Sequence, residues 1–304
     1  MSSTMLQLVQ QAYGEMGLNV PSSVAGNQSL DVVQAQYLLN AVGNELIREP
    51  DDGWQALVQQ YITTVSYTTI TGNTTNGSST LSGIASTTGI DTTYGISGAG
   101  INQACYVSAV PSGTTLTLSQ PATSTNTGAT YTLTKVKYAM PSDYDRQIDR
   151  THWDKSKHWE MLGPETAQQW EWLISGYIST GPRIRYRIFG NYFQIWPFVA
   201  TSEVIGFEYL SSNWVTAAGG TSPSKSSFTV DTDTCVFPDR LMVLGLKRKY
   251  FQAKSFAPVF DAEYMSELSK AKAMDKGSAT LSFAPRVNSI LIGWEQIPDS
   301  GFGS

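Results

Sequence analysis

Residues 70–134 contain a single charged side chain, Asp91, and more than half of them are Ser, Thr, Gly or Asn. Such a stretch is either a flexible linker or a small β domain set into a larger one. The pattern favours the domain: Thr115, Thr117 and Ser119 alternate with Leu116 and Leu118, which gives a strand one wet and one buried face. Short β-like pieces at Ser79–Ile84, Cys105–Val110, Thr114–Leu118 and Ala129–Leu133 are separated by Gly, Pro and Asn turns. A strand enters at Tyr67 and a segment leaves at Lys135–Tyr138, so the insertion is expected at the tip of a hairpin of the parent domain.

The flanking sequence changes period. Leu6, Val9, Tyr13 and Met16 recur at steps of three and four, as do Val32, Ala35, Leu39, Val42 and Leu46; two helices are predicted, with Thr4 and Ser29 as N-caps. Pro50, Asp51, Asp52 and Gly53 end the second in a turn, and Tyr61–Thr69 reads as a strand. Residues 136–238 are β-rich. Their clearest element is the alternating run Arg183–Pro197, broken at Gly190-Asn191, a pair suited to a two-residue hairpin turn. Val204–Leu210 reads as a further strand. From Pro238 the chain returns to helix: one carries Leu241, Leu244 and Leu246 into Lys247-Arg248-Lys249, and another follows Pro258 with Phe260, Tyr264, Leu268 and Ala271 on one face.

The fold class expected is α+β. N- and C-terminal helices form a helical bundle with a central antiparallel β region, because leaving several Leu, Val and Tyr side chains of each hairpin wet would cost several kcal/mol. Residues 1–69 and 135–277 make the body, 70–134 an inserted β-sandwich- or barrel-like module, and 278–304 an extended C-terminal arm.

Composition narrows the function. A net charge of -5 offers no global attraction to nucleic acid. No signal peptide or membrane-length apolar run is read. Cys105 and Cys235 have no metal-spaced neighbours and read as small buried hydrophobes. His152 and His158, six residues apart, are wrongly spaced for two ligands on one helix face and read as surface or interface residues. The carboxylate pairs Asp51-Asp52, Asp143 with Asp145, and Asp231 with Asp233 adjoin turns, where Asp bonds its own backbone. Glycines 95, 98 and 100 have no following helix or lysine for a phosphate. No catalytic, cofactor or metal residue is assigned.

Large rings are dense in the middle of the chain: Trp153, Trp159, Trp170, Trp172, Tyr177, Trp196 and Trp214 suit core or interface better than a sugar-stacking platform. Arg183, Arg185 and Arg187 form a stripe that aligned carboxylates of a neighbouring subunit would answer. With Trp153, Trp159, Lys247, Arg248 and Lys249 they make up the expected subunit or partner interface.

The strings Met140–Arg146, Leu162-Gly163-Pro164, Gln169–Leu173, Gly181–Arg187, Gly190-Asn191, Ile195-Trp196-Pro197, Phe207-Glu208-Tyr209, Asp231–Thr234, Phe237-Pro238-Asp239 and Gly245-Leu246-Lys247 resemble the head-to-tail adaptor (tail tubular protein A) family of short-tailed phages. The resemblance covers roughly residues 1–69 and 135–285 and touches a scaffold rather than an active site. It implies a non-enzymatic virion protein assembled in the host cytoplasm. The family pattern is a homo-oligomeric, twelvefold ring between the portal protein and the tail nozzle protein, through which genomic DNA passes without sequence-specific binding, outside any membrane. Residues 70–134, which resemble the Ser/Thr/Gly-rich modules of phage virion proteins, would face outward towards tail fibres. The rival readings are a receptor- or glycan-binding tail protein that uses the tryptophans, and a polysaccharide-degrading enzyme.

Overall fold

A computed structural model of the chain describes residues 2–48, 53–175 and 183–276. The expected arm at 278–304, the Pro50–Asp52 turn with its paired carboxylates, and Tyr177 lie outside the described residues. The chain is mixed α and β and divides into two compact units. The first holds the residues up to Gln59, Asp143–Gln147 and those from Tyr209 onward; the second holds Gln60–Ser142 and Ile148–Glu208.

Four helices belong to the first unit: α1 (Met5–Met16), α2 (Leu30–Ile47), α4 (Asp239–Ala253) and α5 (Asp261–Lys276). Thr4 and Gln7 close a reciprocal capping box on α1, and Gly17, in the left-handed region at φ 71°, ends it. Ser29 precedes α2 without a side-chain cap bond. Of the row read on α1, Val9 and Tyr13 are buried while Leu6 and Met16 stay part-exposed, and Met5, Leu8 and Ala12 complete the buried face; on α2 the whole row Val32, Ala35, Leu39, Val42 and Leu46 is buried. Leu241–Lys247 of α4 are buried as well, because α4 packs on α1, α2 and α5. The approach of α4 to α2 is close enough that a Cβ at Gly245 would lie 2.5 Å from Val42 Cγ1. Within the described residues, the N-terminal helices α1 and α2 and the later helix α5 thus meet on α4.

Aspartates tie this unit together across the sequence. Asp231 Oδ1 accepts the amides of Val24 and Ala25 in the α1–α2 loop at 2.9 and 2.7 Å, and Asp239 accepts the Ser3 amide and hydroxyl. Trp214 is fully buried edge-on to Phe228 at 5.0 Å, and Gly43 of α2 makes room for it, since a Cβ there would lie 2.2 Å from the indole.

The second unit is built on strands. A closed barrel runs from Tyr67 to Lys135, in the order Tyr67–Thr74, Thr80–Ser82, Thr115–Leu118, Cys105–Ser112, Tyr94–Gly98 and Asn126–Lys135. Leu81, Ile96, Cys105, Leu116, Leu118, Tyr131 and Leu133 fill it, while Thr115 and Thr117 stay part-exposed between Leu116 and Leu118. The run expected as one strand over Tyr61–Thr69 is two: Val58–Thr64 belongs to an open sheet, and the barrel begins at Tyr67 after a break at Val65-Ser66. Tyr94–Gly98, unread in the sequence, is a barrel strand whose glycines lack the side chains that mark alternation.

Contacts do not set the barrel apart from residues 148–208. Phe198 enters beside Gly95, where a Cβ would lie 2.4 Å from the ring, and stacks edge-on to Tyr106 at 5.3 Å. Ala104, Trp170, Leu173 and Trp196 form one buried cluster there, and the Thr134 hydroxyl donates to the Val199 carbonyl at 2.9 Å. Trp170 and Leu173 lie on α3 (Ala167–Ile174), a helix within the region read as β. Its signal was present in the sequence: Thr166 and Gln169 form a capping box.

Two sheets complete this unit. Arg185–Phe189, Tyr192–Trp196 and Lys137–Ala139 pair in that order, and the turn falls on Gly190-Asn191 with φ 59° and 62°, both left-handed as the primed turn requires. The other sheet runs Val58–Thr64, Val204–Ser211, Trp153–Asp154 and Trp159–Glu160. The last residues of its second strand, Tyr209–Ser211, count with the first unit, where they pair with Tyr144–Gln147.

Candidate functional site

Four cations of α4, Arg240, Lys247, Arg248 and Lys249, are answered from within the chain. Lys247, 5% exposed, donates to Glu15 Oε2 at 2.8 Å and sits 4.2 Å over the Phe260 ring. Arg240 bonds the same Glu15 carboxylate at 2.7 Å and Glu263 at 2.8 Å. Burial alone would raise the Glu15 pKa, but the hydrogen bonds from Lys247 and Arg240 outweigh it and hold the carboxyl at about 2. Arg248 pairs with Asp261 at 2.9 Å and covers Tyr264, and Lys249 pairs with Glu45. The run Lys247-Arg248-Lys249 therefore joins α4 to α1, α2 and α5.

Of the arginine stripe, Arg185 and Arg187 lie on one strand and Arg183 precedes it. Arg185 is bound to Glu165 of the same chain at 2.6 Å, and the Arg187 guanidinium rests 4.7 Å over Phe189. Arg183 is half-buried. The tryptophans separate by role. Trp54, Trp170, Trp196 and Trp214 are core, Trp153 is 42% exposed and Trp172 53% exposed, and Trp159 is half-buried with Lys157 over its ring.

His152 is not a surface residue. It is 1% exposed and stacks between Tyr186 at 4.0 Å and Phe207 at 4.7 Å, and neither ring nitrogen has a hydrogen-bond partner. Burial depresses its pKa to about 4, so it is a neutral core ring at ordinary pH. Strand alternation put it inside: Trp153 points out, His152 and Asp154 in.

Asp154 and Glu203 are each 2% exposed and share one buried site. Asp154 Oδ1 accepts the Ser156 and Lys157 amides at 3.0 and 3.1 Å, while Glu203 Oε1 takes the Thr201 hydroxyl at 2.8 Å and Lys157 Nζ at 2.5 Å. Burial, then the charge of Glu203 and a hydrogen bond with it, raise the Asp154 pKa against the pull of the two amides. Glu203 Oε2 is buried without a hydrogen-bond partner. This pair locks the Trp153–Trp159 hairpin, because Ser156 Oγ also accepts the Val204 amide at 2.8 Å.

The other carboxylate pairs serve backbone and core. Asp143 accepts the Tyr209 hydroxyl at 3.0 Å and the Ser211 hydroxyl at 2.7 Å; Asp233 accepts the Thr229 and Val230 amides and Lys225 Nζ. Burial pushes the Cys235 thiol up to about 12, which removes it as a nucleophile near neutral pH, and Cys105 is buried in the barrel. Among the described residues no group of three or more His, Cys, Asp or Glu is placed to hold a metal, and no helix is long and apolar enough to cross a membrane.

Among the described residues, the helical unit leaves one face open. Opposite its buried row, α2 carries Leu30, 86% exposed, and Tyr37, 71% exposed, with half-buried Val33, Leu38 and Ala41 between and beside them. Leu30, Val33, Tyr37 and Ala41 follow steps of three and four, so they share one side of the helix. A helix apolar on both sides is expected to be covered on both. The sequence reading named the cations as the interface and passed over this row, although its period is as plain as that of the buried one. Compared with known proteins, the chain matches no protein-family model and no curated protein sequence.

Proposed function

We propose that the chain is a structural head-to-tail adaptor of a phage virion, acting by assembly into a ring between portal and tail nozzle and not by catalysis. The observation that carries the reading is the exposed apolar row of α2. An apolar stripe of this size on a soluble helix marks an association surface. In a closed ring each copy presents one surface to the next, so the stripe meets a different patch of the neighbouring copy. In this reading α1, α2, α4 and α5 form one helical bundle that carries the ring. The four cations of α4, already paired within the chain, stiffen it and leave subunit contact to apolar surface. The resemblance of residues 1–69 and 135–285 to the adaptor family supplies the architecture, the twelvefold ring, and the virion as its place of action.

The test is electron microscopy of the purified chain mixed with its portal, beside the double variant Leu30→Glu, Tyr37→Glu. The wild type should form rings stacked coaxially on the portal, and the variant should remain monomeric with an unchanged circular dichroism spectrum. Coaxial rings from the variant would remove the α2 face from the interface; an absence of rings from the wild type would end the adaptor reading.

A further inference from the structure

Five residues other than glycine have positive φ among the described residues: Ala104, Arg150, His158, Asn191 and Ser255. Asn191 is explained by its hairpin turn, and Ser255 by the end of α4. Arg150 at φ 63° lies in the turn after Tyr144–Gln147, and His158 at φ 59° closes the hairpin turn between Asp154 and Trp159. Both occupy turns in which glycine would fit without the clash that a Cβ suffers in the left-handed region. Both line the same groove, of about 550 Å3, in the range of small-ligand sites.

The groove lies on the outer face of the open sheet. Gly206 lies at its base, in register with Trp153, and the Lys155 side chain crosses it, since a Cβ there would lie 3.0 Å from Lys155 Cε and 2.9 Å from the Tyr61 carbonyl. The half-exposed Trp153 ring rises on one side, and Gln60, Thr151 and Glu208 complete the rim. Trp153 is held firmly, because its neighbour Asp154 is locked beneath by Glu203 and Lys157. The side chain of Arg150 is 79% exposed and only loosely paired, at 3.7 Å, with Glu160.

We infer that this groove binds a neutral saccharide, with one sugar ring stacked on the exposed face of Trp153. The C–H face of a pyranose is apolar and flat, and suits an exposed indole. Hydroxyls both donate and accept, which matches a rim of donors (Arg150, Lys155), an acceptor (Glu208) and an amide with both (Gln60). A phosphate or sulfate would meet Glu208 and Glu160 as well as the cations, so the rim does not select an anion. An extended peptide would need free backbone groups, but the strand that carries Gly206 is paired on both sides. The site does not depend on ring assembly, and its failure would leave the adaptor reading intact.

The experiment titrates the full-length chain with tetrasaccharides of glucose, galactose, mannose and N-acetylglucosamine, together with sulfated counterparts and a decaglutamate peptide, by calorimetry and tryptophan fluorescence. At least one neutral tetrasaccharide is expected to bind. Trp153→Ala and Arg150→Gly should each weaken it by roughly tenfold or more. Arg150→Gly should at the same time raise the melting temperature, since it relieves the backbone, so its loss of binding cannot be ascribed to unfolding. The inference is overturned if no neutral tetrasaccharide binds up to about 10 mM, if only the sulfated sugars or the peptide bind, or if both variants keep the wild-type affinity.

Discussion

His152 makes the stability of this protein depend on pH in a way that one substitution should erase. Its ring is 1% exposed in an aromatic stack, and its pKa falls from 6.5 to about 4 through burial. As pH drops below 6.5 the unfolded chain takes up a proton that the folded chain refuses, so stability is lost towards acid and fully present above 6.5. The linkage integral for these two values is about 2 kcal/mol at pH 5 and about 3 kcal/mol at pH 4, relative to pH 7.5. His152→Phe keeps a planar ring between Tyr186 and Phe207 and removes two buried nitrogens without partners. Its effect at pH 7.5 mixes relief of that desolvation with the strain of a larger ring, each about 1–3 kcal/mol. The pH dependence of the difference is free of both. Urea unfolding of wild type and variant, followed by tryptophan fluorescence at pH 7.5, 6, 5 and 4, should give free energies whose difference moves by about 3 kcal/mol in favour of the variant over that range. Other carboxylates titrate in both proteins and cancel. Curves that stay parallel to within about 0.5 kcal/mol would refute the buried neutral ring, as would an NMR titration in which His152 protonates near its ordinary value of 6.5.

Two further substitutions probe the helical unit. Gly43→Ala places a methyl 2.2 Å from the buried Trp214 indole, which has no space to retreat, and should cost about 3 kcal/mol in urea unfolding; a loss under about 1 kcal/mol would mean that α2 and Trp214 do not meet as described. Glu15→Gln strips Lys247 of its charge partner at 2.8 Å and should cost about 2 kcal/mol at pH 7, less than for a fully buried pair because Glu15 is 29% exposed. Adding Lys247→Met should recover most of that loss, and a double-mutant cycle with no coupling would contradict the pairing. The pair's contribution is present above the ordinary carboxylate pKa of 4.5 and fades only as pH falls through about 2, so Glu15→Gln should approach wild-type stability only in strong acid.

Short-range signals were legible in the sequence wherever a few neighbouring residues settle the backbone. The Thr4 N-cap, the left-handed Gly190-Asn191 turn and the Thr115–Leu118 alternation all lie where they were read, because each depends on dihedral preferences and side chains within about four positions. The helix α3 carried the same kind of signal at Thr166 and Gln169, but it sits among strands and is only 8 residues long, too short to establish a period. Breaks that depend on distant partners were not legible. Val65-Ser66 divides one apparent strand because Val58–Thr64 and Tyr67–Thr74 pair with different strands, the first with Val204–Ser211 and the second within the barrel.

For the candidate site the division is sharper. Sequence alone determined which residue types are present: an aromatic and basic stretch around Trp153, an α2 apolar on two sides, and a charge-poor β segment at 70–134. Tertiary structure decided what each side chain does. It buried His152 and Lys247, gave the basic run to Glu15, Glu45 and Asp261, and set Gly206 across from Trp153 at the base of a groove. Burial and electrostatic environment are sums over neighbours that lie far away in the chain, 232 positions for Lys247 and Glu15, and no local pattern of residues carries that information.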